Sequence, residues 1–316
     1  MIASNGLQYA PPIDLPQYLA ERHDALRRFV AELSVDALGG EHFSIYFETR
    51  SQFQTAVRQD LLPLLAYEAV SQQSYSDAIP LTTAWSLYLA AAHLLDEAQD
   101  NSCQLQHAKP LSSYVTSAVV AMAAANLALS RQEVGSEQLA EIIRVMGEVT
   151  INGALAQHDE QVRGRHWSKQ DYFYNIASKS AAIIAAGIWM GAVLVIEDEQ
   201  ALTMLQEFGL ALGMTMQIAD DCQDLAEDLT NGTYTLPVIE ALSMTDHPEH
   251  ATLSQLLSRQ PLCPADLDLV LQILDRMEVV AACRHLARAY QVQAGAALLL
   301  FPTLAPVFSD YVSVEV

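Results

Sequence analysis

The sequence predicts an all-α protein that folds as a single helical bundle around an apolar cavity. Apolar residues recur at intervals of three and four in long stretches such as 136–162 and 265–300. Strand-like alternation of Val and Ile is scarce, and the breaks at Gly and Pro are too short to be domain linkers. We therefore expect one domain over residues 1–316, with 51% hydrophobic residues to fill its core.

Two long uncharged runs, 110–130 and 180–196, are predicted to be buried core helices. The first contains Ser, Thr and Asn, and the second has 17 residues, fewer than the roughly 20 that a membrane span needs. We therefore expect no stable membrane insertion. The N-terminus lacks the pattern of a signal peptide, and the four cysteines are widely separated, so a cytoplasmic location is predicted.

The chain is strongly acidic, with 38 Asp and Glu against 16 Lys and Arg and a net charge of -22. Such a surface repels phosphate backbones, so nucleic acid is excluded as a partner. Clustered carboxylates have a second possible use, because divalent metal ions can hold them together.

Two acidic clusters repeat the same spacing after apolar helical runs. Asp96 and Asp100 are four residues apart, as are Asp220 and Asp224. On a helix each pair lies on one face, where like charges destabilise unless something neutralises them. Mg²⁺ fits, because it takes one or two carboxylates and completes its shell with water and substrate phosphate. A solvated acidic face is the alternative for either cluster alone.

The motifs around these clusters resemble those of the trans-isoprenyl diphosphate synthases. "DEAQD" is similar to their first aspartate-rich motif, and "QIADDCQD" followed by "DLTNGTYTLP" is similar to the second. Between them, Lys179 precedes an Ala/Gly-rich run as the family's diphosphate lysine does. The resemblance covers about residues 45–240. It implies the all-α isoprenoid synthase fold, a homodimer, three Mg²⁺ ions, and ionisation of an allylic prenyl diphosphate.

The resemblance also assigns roles to individual residues. It implies that Lys179 binds diphosphate and that Gln217 faces the reacting carbon. Separately, the polar segment 163–167 offers Arg163 or Arg165 as a replacement cation for the diphosphate, although a solvated loop is the favoured interpretation of that segment. The predicted metal-side residues are Asp96, Asp100, Asp220, Asp221 and Asp224.

The chain departs from the family where a second substrate, isopentenyl diphosphate, should bind. The family's basic residues in that segment are replaced by Gln59, Asp60 and Leu62, and the lysine of its G-K-x-T-L-P element is Thr233. Losing several cations from one pocket weakens dianion binding. We therefore expect a class I terpene synthase that ionises one prenyl diphosphate and ends with deprotonation or water capture. A prenyltransferase, whether chain-elongating or acting on another acceptor, and a non-catalytic subunit of a heteromeric synthase remain alternatives.

The expected substrate length comes from the helix before the first cluster. Ala92 and Ala91 precede Asp96 by four and five residues, about one turn deeper in the predicted cavity. Family members with shorter products carry bulky side chains there, whereas two alanines leave the cavity open as far as Tyr88. A C20 diphosphate, linear or already cyclised, is therefore the expected substrate.

Overall fold

The all-α prediction is confirmed by a computed structural model, which describes residues 15–33, 59–71, 73–99, 111–163, 167–259 and 261–312. Its described part contains α-helices, two short 3₁₀ helices (Gln59–Leu61 and Tyr75–Ala78) and one π-helix (Ala177–Ala181). The α-helices are α1 Leu15–Glu32, α2 Leu62–Ser71, α3 Ile79–Gln99, α4 Leu111–Leu129, α5 Ser136–Arg163, α6 Lys169–Ile176, α7 Ala182–Val193, α8 Glu199–Gln223, α9 Leu225–Asn231, α10 Leu236–Ser243, α11 His250–Leu257, α12 Pro264–Arg276, α13 Val279–Leu300 and α14 Ala305–Val312.

Helix α7 is the centre of the bundle, and small residues let its neighbours approach it closely. A Cβ atom added to Gly191 of α7 would lie 1.9 Å from the carbonyl oxygen of Pro63 in α2. On the other side, a Cβ atom added to Gly213 of α8 would lie 2.6 Å from the Cα atom of Ala181. No side chain fits at either contact, so glycine there fixes the positions of α2, α7 and α8.

The buried side chains form three clusters that meet at this centre. The first joins α1, α3, α4, α5 and α7, and the second joins α6 and α8 to the C-terminal helices α9 to α13. The third packs α2, α7 and α8 against α1, α13 and α14. Helices α7 and α8 each belong to two of these clusters and so form the frame of the bundle. The carboxyl end of α8 lies at the end of this frame.

The two uncharged runs have different environments. The second run contains α7, where Ile184 to Ala192 are all buried, as predicted. The first contains α4, and here the prediction of a buried helix was only half right, because its outer face is exposed. Large exposed side chains on that face are Leu111, Val115, Val119 and Leu127.

Three described segments are long and apolar enough to cross a membrane, judged by length and composition alone. They are 75–96, 111–129 and 169–193, and 67%, 39% and 61% of their most apolar windows are buried within the protein. Packing in the core accounts for the apolar character of the first and third segments, whereas much of the second faces outward. The absence of membrane insertion and the cytoplasmic location stay predictions.

The periodic stretch 265–300 is two helices, although its pattern predicts one. Helix α12 ends at Arg276 and α13 begins at Val279, with Glu278 in the left-handed conformation at φ 56°. Left-handed backbone at a residue other than glycine interrupts a helix. Apolar periodicity continues across the break because both helices bury a face in the same cluster.

Candidate active site

The second acidic cluster lies at the carboxyl end of α8. Asp220 is in the last turn, and Asp224 caps the helix with non-helical backbone angles while its N–H donates to the carbonyl oxygen of Asp220 at 2.9 Å. Both side chains are exposed at the surface. Reduced hydration and the charges of Asp224 and Asp221 raise the pKa of Asp220 to about 6. Negative charges are therefore concentrated at this end of α8, and a bound cation would reduce the repulsion between them.

Asp221, the next residue, has the opposite environment. Its side chain is only 3% exposed and accepts hydrogen bonds from the Tyr172 hydroxyl, from Gln217 Nε2 at 2.9 Å and from the backbone N–H of Leu236 at 3.3 Å. Burial raises the pKa of Asp221, whereas the hydrogen bonds from Tyr172, Gln217 and Leu236 oppose that rise. This carboxylate joins α8 to α6 and α10.

The π-helix Ala177–Ala181 directs two consecutive side chains to different neighbours. Lys179 Nζ lies 2.9 Å from Glu160 Oε2 on α5, and Ser180 Oγ donates to Gln217 Oε1 on α8 at 2.6 Å. π-Helical turns inside α-helices are frequent at functional sites. The turn thus places Lys179 against α5 and Ser180 against α8.

Further contacts connect the π-helix to the first acidic cluster. Gln161, next to Glu160 on α5, donates from its Nε2 to Gln99 Oε1 at 3.0 Å, and Gln99 lies three residues beyond Asp96 on α3. We call this series of contacts the site rim. In order, its members are Gln99, Gln161, Glu160, Lys179, Ser180, Gln217 and Asp221. The rim connects the end of α3 that carries Asp96 to the end of α8 that carries Asp220.

A divalent cation fits the chemistry of the acidic end of α8. Burial and the charge of Asp221 raise the pKa of Asp228 to about 7, so two carboxyls, including that of Asp220, resist ionisation without a counter-charge. Among the described residues no group of three or more His, Cys, Asp or Glu side chains could by itself hold a metal ion.

Several predicted site residues lie outside the described part of the chain. Asp100 and Arg165 belong to undescribed segments, and Arg163 ends α5 with an undescribed side chain. The predicted roles of these three residues therefore stay predictions.

The positions where the family resemblance implies basic residues hold Gln59, Asp60 and Leu62 in this chain. Asp60 is buried, with its Oδ2 3.6 Å from His23 Nε2, and Leu62 is fully buried in the core beside Gly187. Gln59 uses its backbone carbonyl to accept a hydrogen bond from Trp85 Nε1 at 2.9 Å. Asp60 and Leu62 therefore have structural roles in anchoring α2.

The helix face that was expected to determine chain length is only partly accessible. Ala92 is exposed, whereas Ala91 is completely buried in the core. One turn deeper, the hydroxyl of Tyr88 donates to Asn126 Oδ1 on α4 at 3.4 Å. A ligand following this face would meet Ala92 and then the Tyr88–Asn126 contact, and it would not touch Ala91.

Four residues of the site were not selected from the sequence: Glu160, Tyr172, Ser180 and Asp228. Glu160, Tyr172 and Ser180 act through contacts between segments distant in the chain, such as the 49 residues between Tyr172 and Asp221. Two of the four carried a usable signal in the sequence: Asp228 begins the "DLTNG" segment, and Ser180 follows Lys179 where the family has a Lys-Thr pair.

Comparison with models of protein families identifies the family of this chain. Residues 56–274 match the model of the polyprenyl synthetase family. The chain belongs to this family.

Individual relatives agree with that assignment. A short chain isoprenyl diphosphate synthase from Methanocaldococcus jannaschii is 22% identical over 224 residues, which cover 65% of this chain and 68% of the relative. Component 2 of heptaprenyl diphosphate synthase from Bacillus subtilis is 30% identical over 113 residues, covering 31% and 32% of the two chains.

Solved structures show the same fold over almost the whole chain. Geranylgeranyl pyrophosphate synthetase from Pyrococcus horikoshii superimposes with a TM-score of 0.81 at 16% identity and covers 96% of this chain and 99% of its own. Geranylgeranyl pyrophosphate synthase from Corynebacterium glutamicum, complexed with calcium and isoprenyl diphosphate, gives a TM-score of 0.73 at 22% identity, with 94% and 97% covered. At these identities the likeness concerns the fold.

Proposed function

We propose that this protein is a Mg²⁺-dependent prenyltransferase of the isoprenyl diphosphate synthase type, which uses an allylic prenyl diphosphate. The observation that carries the proposal is the site rim, which joins the ends of the two acidic helices through Lys179. Membership of the polyprenyl synthetase family supports the same reaction class. This differs from the terpene synthase expected from the sequence, which the relatives support less well.

In this proposal each residue acts through its position around the diphosphate. Asp96, Asp100, Asp220 and Asp224 would hold Mg²⁺, and the family resemblance implies three such ions. Bound Mg²⁺ stabilises the negative charge that develops on the leaving pyrophosphate. Lys179 contacts the diphosphate, and Arg163 or Arg165 adds a further cation.

Asp221 has a different role in this proposal from the metal-side role expected from the sequence. Both of its oxygens accept hydrogen bonds within the protein, so we assign it to positioning Gln217. Gln217 is held between Ser180 and Asp221, and these two hydrogen bonds fix the orientation of the amide that the family resemblance assigns to the reacting carbon.

A terpene synthase is the second candidate, and a specific observation favours it. Asp60 and Leu62, at positions that are basic in related enzymes, are buried and serve packing, while Thr233 replaces a third cation. An enzyme without these cations lacks much of the attraction for a second diphosphate. It would convert one diphosphate to a hydrocarbon or alcohol without an acceptor.

The C20 substrate also stays part of the proposal. Ala92 is exposed on the helix face where the cavity is expected, and the contact between Tyr88 and Asn126 lies one turn further from Asp96. Replacing Ala92 by Phe should shift the preference toward C10 and C15 substrates by filling that space. Comparison of kcat/KM for the three lengths in wild type and Ala92→Phe tests this assignment.

One product analysis separates the two candidates. Purified protein is incubated with Mg²⁺ and a C15 or C20 allylic diphosphate, with and without isopentenyl diphosphate, and the products are identified by mass spectrometry. A longer prenyl diphosphate that appears only with isopentenyl diphosphate supports the prenyltransferase. A hydrocarbon or alcohol formed without it supports the terpene synthase, and no consumption of substrate contradicts both.

We propose a homodimer as the working assembly. Apolar side chains are exposed on α4, and Ile143, Ile151 and Leu155 are exposed on α5; apolar surface of this kind commonly marks an interface. A heteromeric partner is the alternative, since one relative is named as a component of a synthase. Light scattering of the purified chain should give twice the monomer mass. The Val119→Glu variant should give the mass of one monomer.

A further inference from the structure

The site rim contains a single ion pair, between Lys179 of the π-helix and Glu160 of α5. Their nitrogen and oxygen atoms are 2.9 Å apart, and the two side chains are 32% and 37% exposed. Within the rim as defined, Lys179 is the only cation. The residue proposed to bind diphosphate is therefore already neutralised by a carboxylate of the same chain.

Glu160 lies on the site side of α5 and contributes to the field there. Its charge is among the causes that raise the pKa of buried Asp221. Its neighbour Gln161 contacts the end of α3 that carries Asp96. A diphosphate that reaches Lys179 must therefore come close to the Glu160 carboxylate, which repels it.

The exposure of the pair makes an exchange of partners feasible. Ion pairs in contact with water are weak because solvent screens them and both side chains lose freedom. An incoming diphosphate offers Lys179 several anionic oxygens, and charge-assisted hydrogen bonds to phosphate are strong. The lysine can thus leave Glu160 for the substrate and return to it afterwards.

We infer that Glu160 is a positioning residue that competes with diphosphate for Lys179 and so weakens the binding of both substrate and pyrophosphate product. The inference rests on the proposed function, since it assumes that Lys179 contacts the diphosphate. It predicts that removing the Glu160 charge strengthens diphosphate binding, and that this gain requires Lys179.

Isothermal titration calorimetry with inorganic pyrophosphate and Mg²⁺ tests the inference on the whole chain without turnover. The proteins compared are wild type, Glu160→Gln, Lys179→Met and the double variant. Glu160→Gln should lower the Kd for pyrophosphate about threefold to tenfold. Lys179→Met should raise the Kd, and adding Glu160→Gln to it should bring little or no gain.

Glu148→Gln is the matched control. It removes the same charge from the same helix, where Glu148 pairs with Arg144 at 2.6 Å. Its Kd should equal that of wild type, and thermal unfolding should show that all variants are folded.

Three outcomes overturn the inference. An unchanged or higher Kd in Glu160→Gln shows that Glu160 does not compete for the lysine. An equal gain in the presence of Lys179→Met shows that Glu160 acts by general repulsion alone. If wild-type protein binds no pyrophosphate in the presence of Mg²⁺, the proposed function itself is wrong. This result differs from the first two, in which wild-type protein still binds pyrophosphate.

Discussion

The two acidic clusters share a sequence pattern, yet the structure supports them differently. Asp220 lies in the last turn of the long helix α8. The next residue, Asp221, accepts three hydrogen bonds, from residues of α6, α8 and α10. Asp96 lies near the end of α3, where the contact between Gln99 and Gln161 joins two exposed side chains. The same D-x-x-x-D spacing thus begins near the carboxyl ends of two helices, and at the second of them the buried Asp221 braces the helix end against its neighbours. We call Asp220, Asp221 and Asp224 the braced cluster.

The largest expected effect tests whether both clusters serve one reaction. Asp96→Ala and Asp220→Ala should each lower kcat/KM for the allylic diphosphate by at least ~10²-fold, because each removes electrostatic stabilisation of the leaving group. EDTA should abolish turnover in wild type. Activity that persists in EDTA, or survives in either variant, contradicts a shared metal site.

The next effect separates adjacent residues of the braced cluster. Asp221→Ala should destabilise the protein by about 3 kcal/mol, because it leaves buried donors of Tyr172, Gln217 and Leu236 without an acceptor. Asp220→Ala should not destabilise the protein at neutral pH, because the side chain is exposed and its raised pKa means that the ionised carboxylate does not favour the folded state. Urea denaturation of both variants measures the difference, and similar losses would contradict the division of roles.

The frame beneath the braced cluster can be tested with two glycines. Gly213→Ala should lower the free energy of unfolding by about 1 to 3 kcal/mol. The new methyl group would overlap Ala181, the last residue of the π-helix. Gly147→Ala on α5 is the matched control, because a Cβ atom there meets nothing within 4 Å. It should stabilise by about 0.5 to 1 kcal/mol through helix propensity. Thermal melts that rank the two variants in the opposite order would contradict the packing described for α8.

The smallest expected effect is a pH dependence of stability without metal. The pKa values of Asp220 and Asp228, about 6 and about 7, lie above the ordinary value near 4, so the folded state binds these protons more tightly than the unfolded state. The stability that these groups contribute should be complete below a pH of about 4 and should be lost as the pH rises through 6 to 7.

Two comparisons isolate this contribution. Asp228→Asn should make the free energy of unfolding less dependent on pH between 5 and 8, and Mg²⁺ with pyrophosphate should do the same in wild type. Equal slopes for wild type and Asp228→Asn, followed by urea denaturation, would show that this carboxyl does not titrate as described.

The sequence predicted the features that depend on local pattern. Periodicity was enough for the all-α fold, and spacing placed Asp220 and Asp224 at the end of a helix. It missed the break at Glu278, because the apolar pattern continues across it, and the outward face of α4, because a run without charges does not show which side is covered.

The contacts within the site required the folded chain. Asp221 looks like its neighbour Asp220 in the sequence, and only the positions of Tyr172 and Leu236 show that it is buried. The partner of Lys179 depends on how α5 packs against the π-helix, which no spacing within either segment encodes.

The central claim is that both acidic clusters belong to one diphosphate site, and calorimetry with inorganic pyrophosphate tests it most directly. Wild-type protein should bind pyrophosphate with Mg²⁺ and lose that binding in EDTA. Asp96→Ala and Asp220→Ala should each weaken it at least ~10-fold, and the double variant should lose little more than either alone, since the two residues act on one ligand. Binding in EDTA, or binding that one of the two single variants leaves unchanged, would show that the clusters do not form one site.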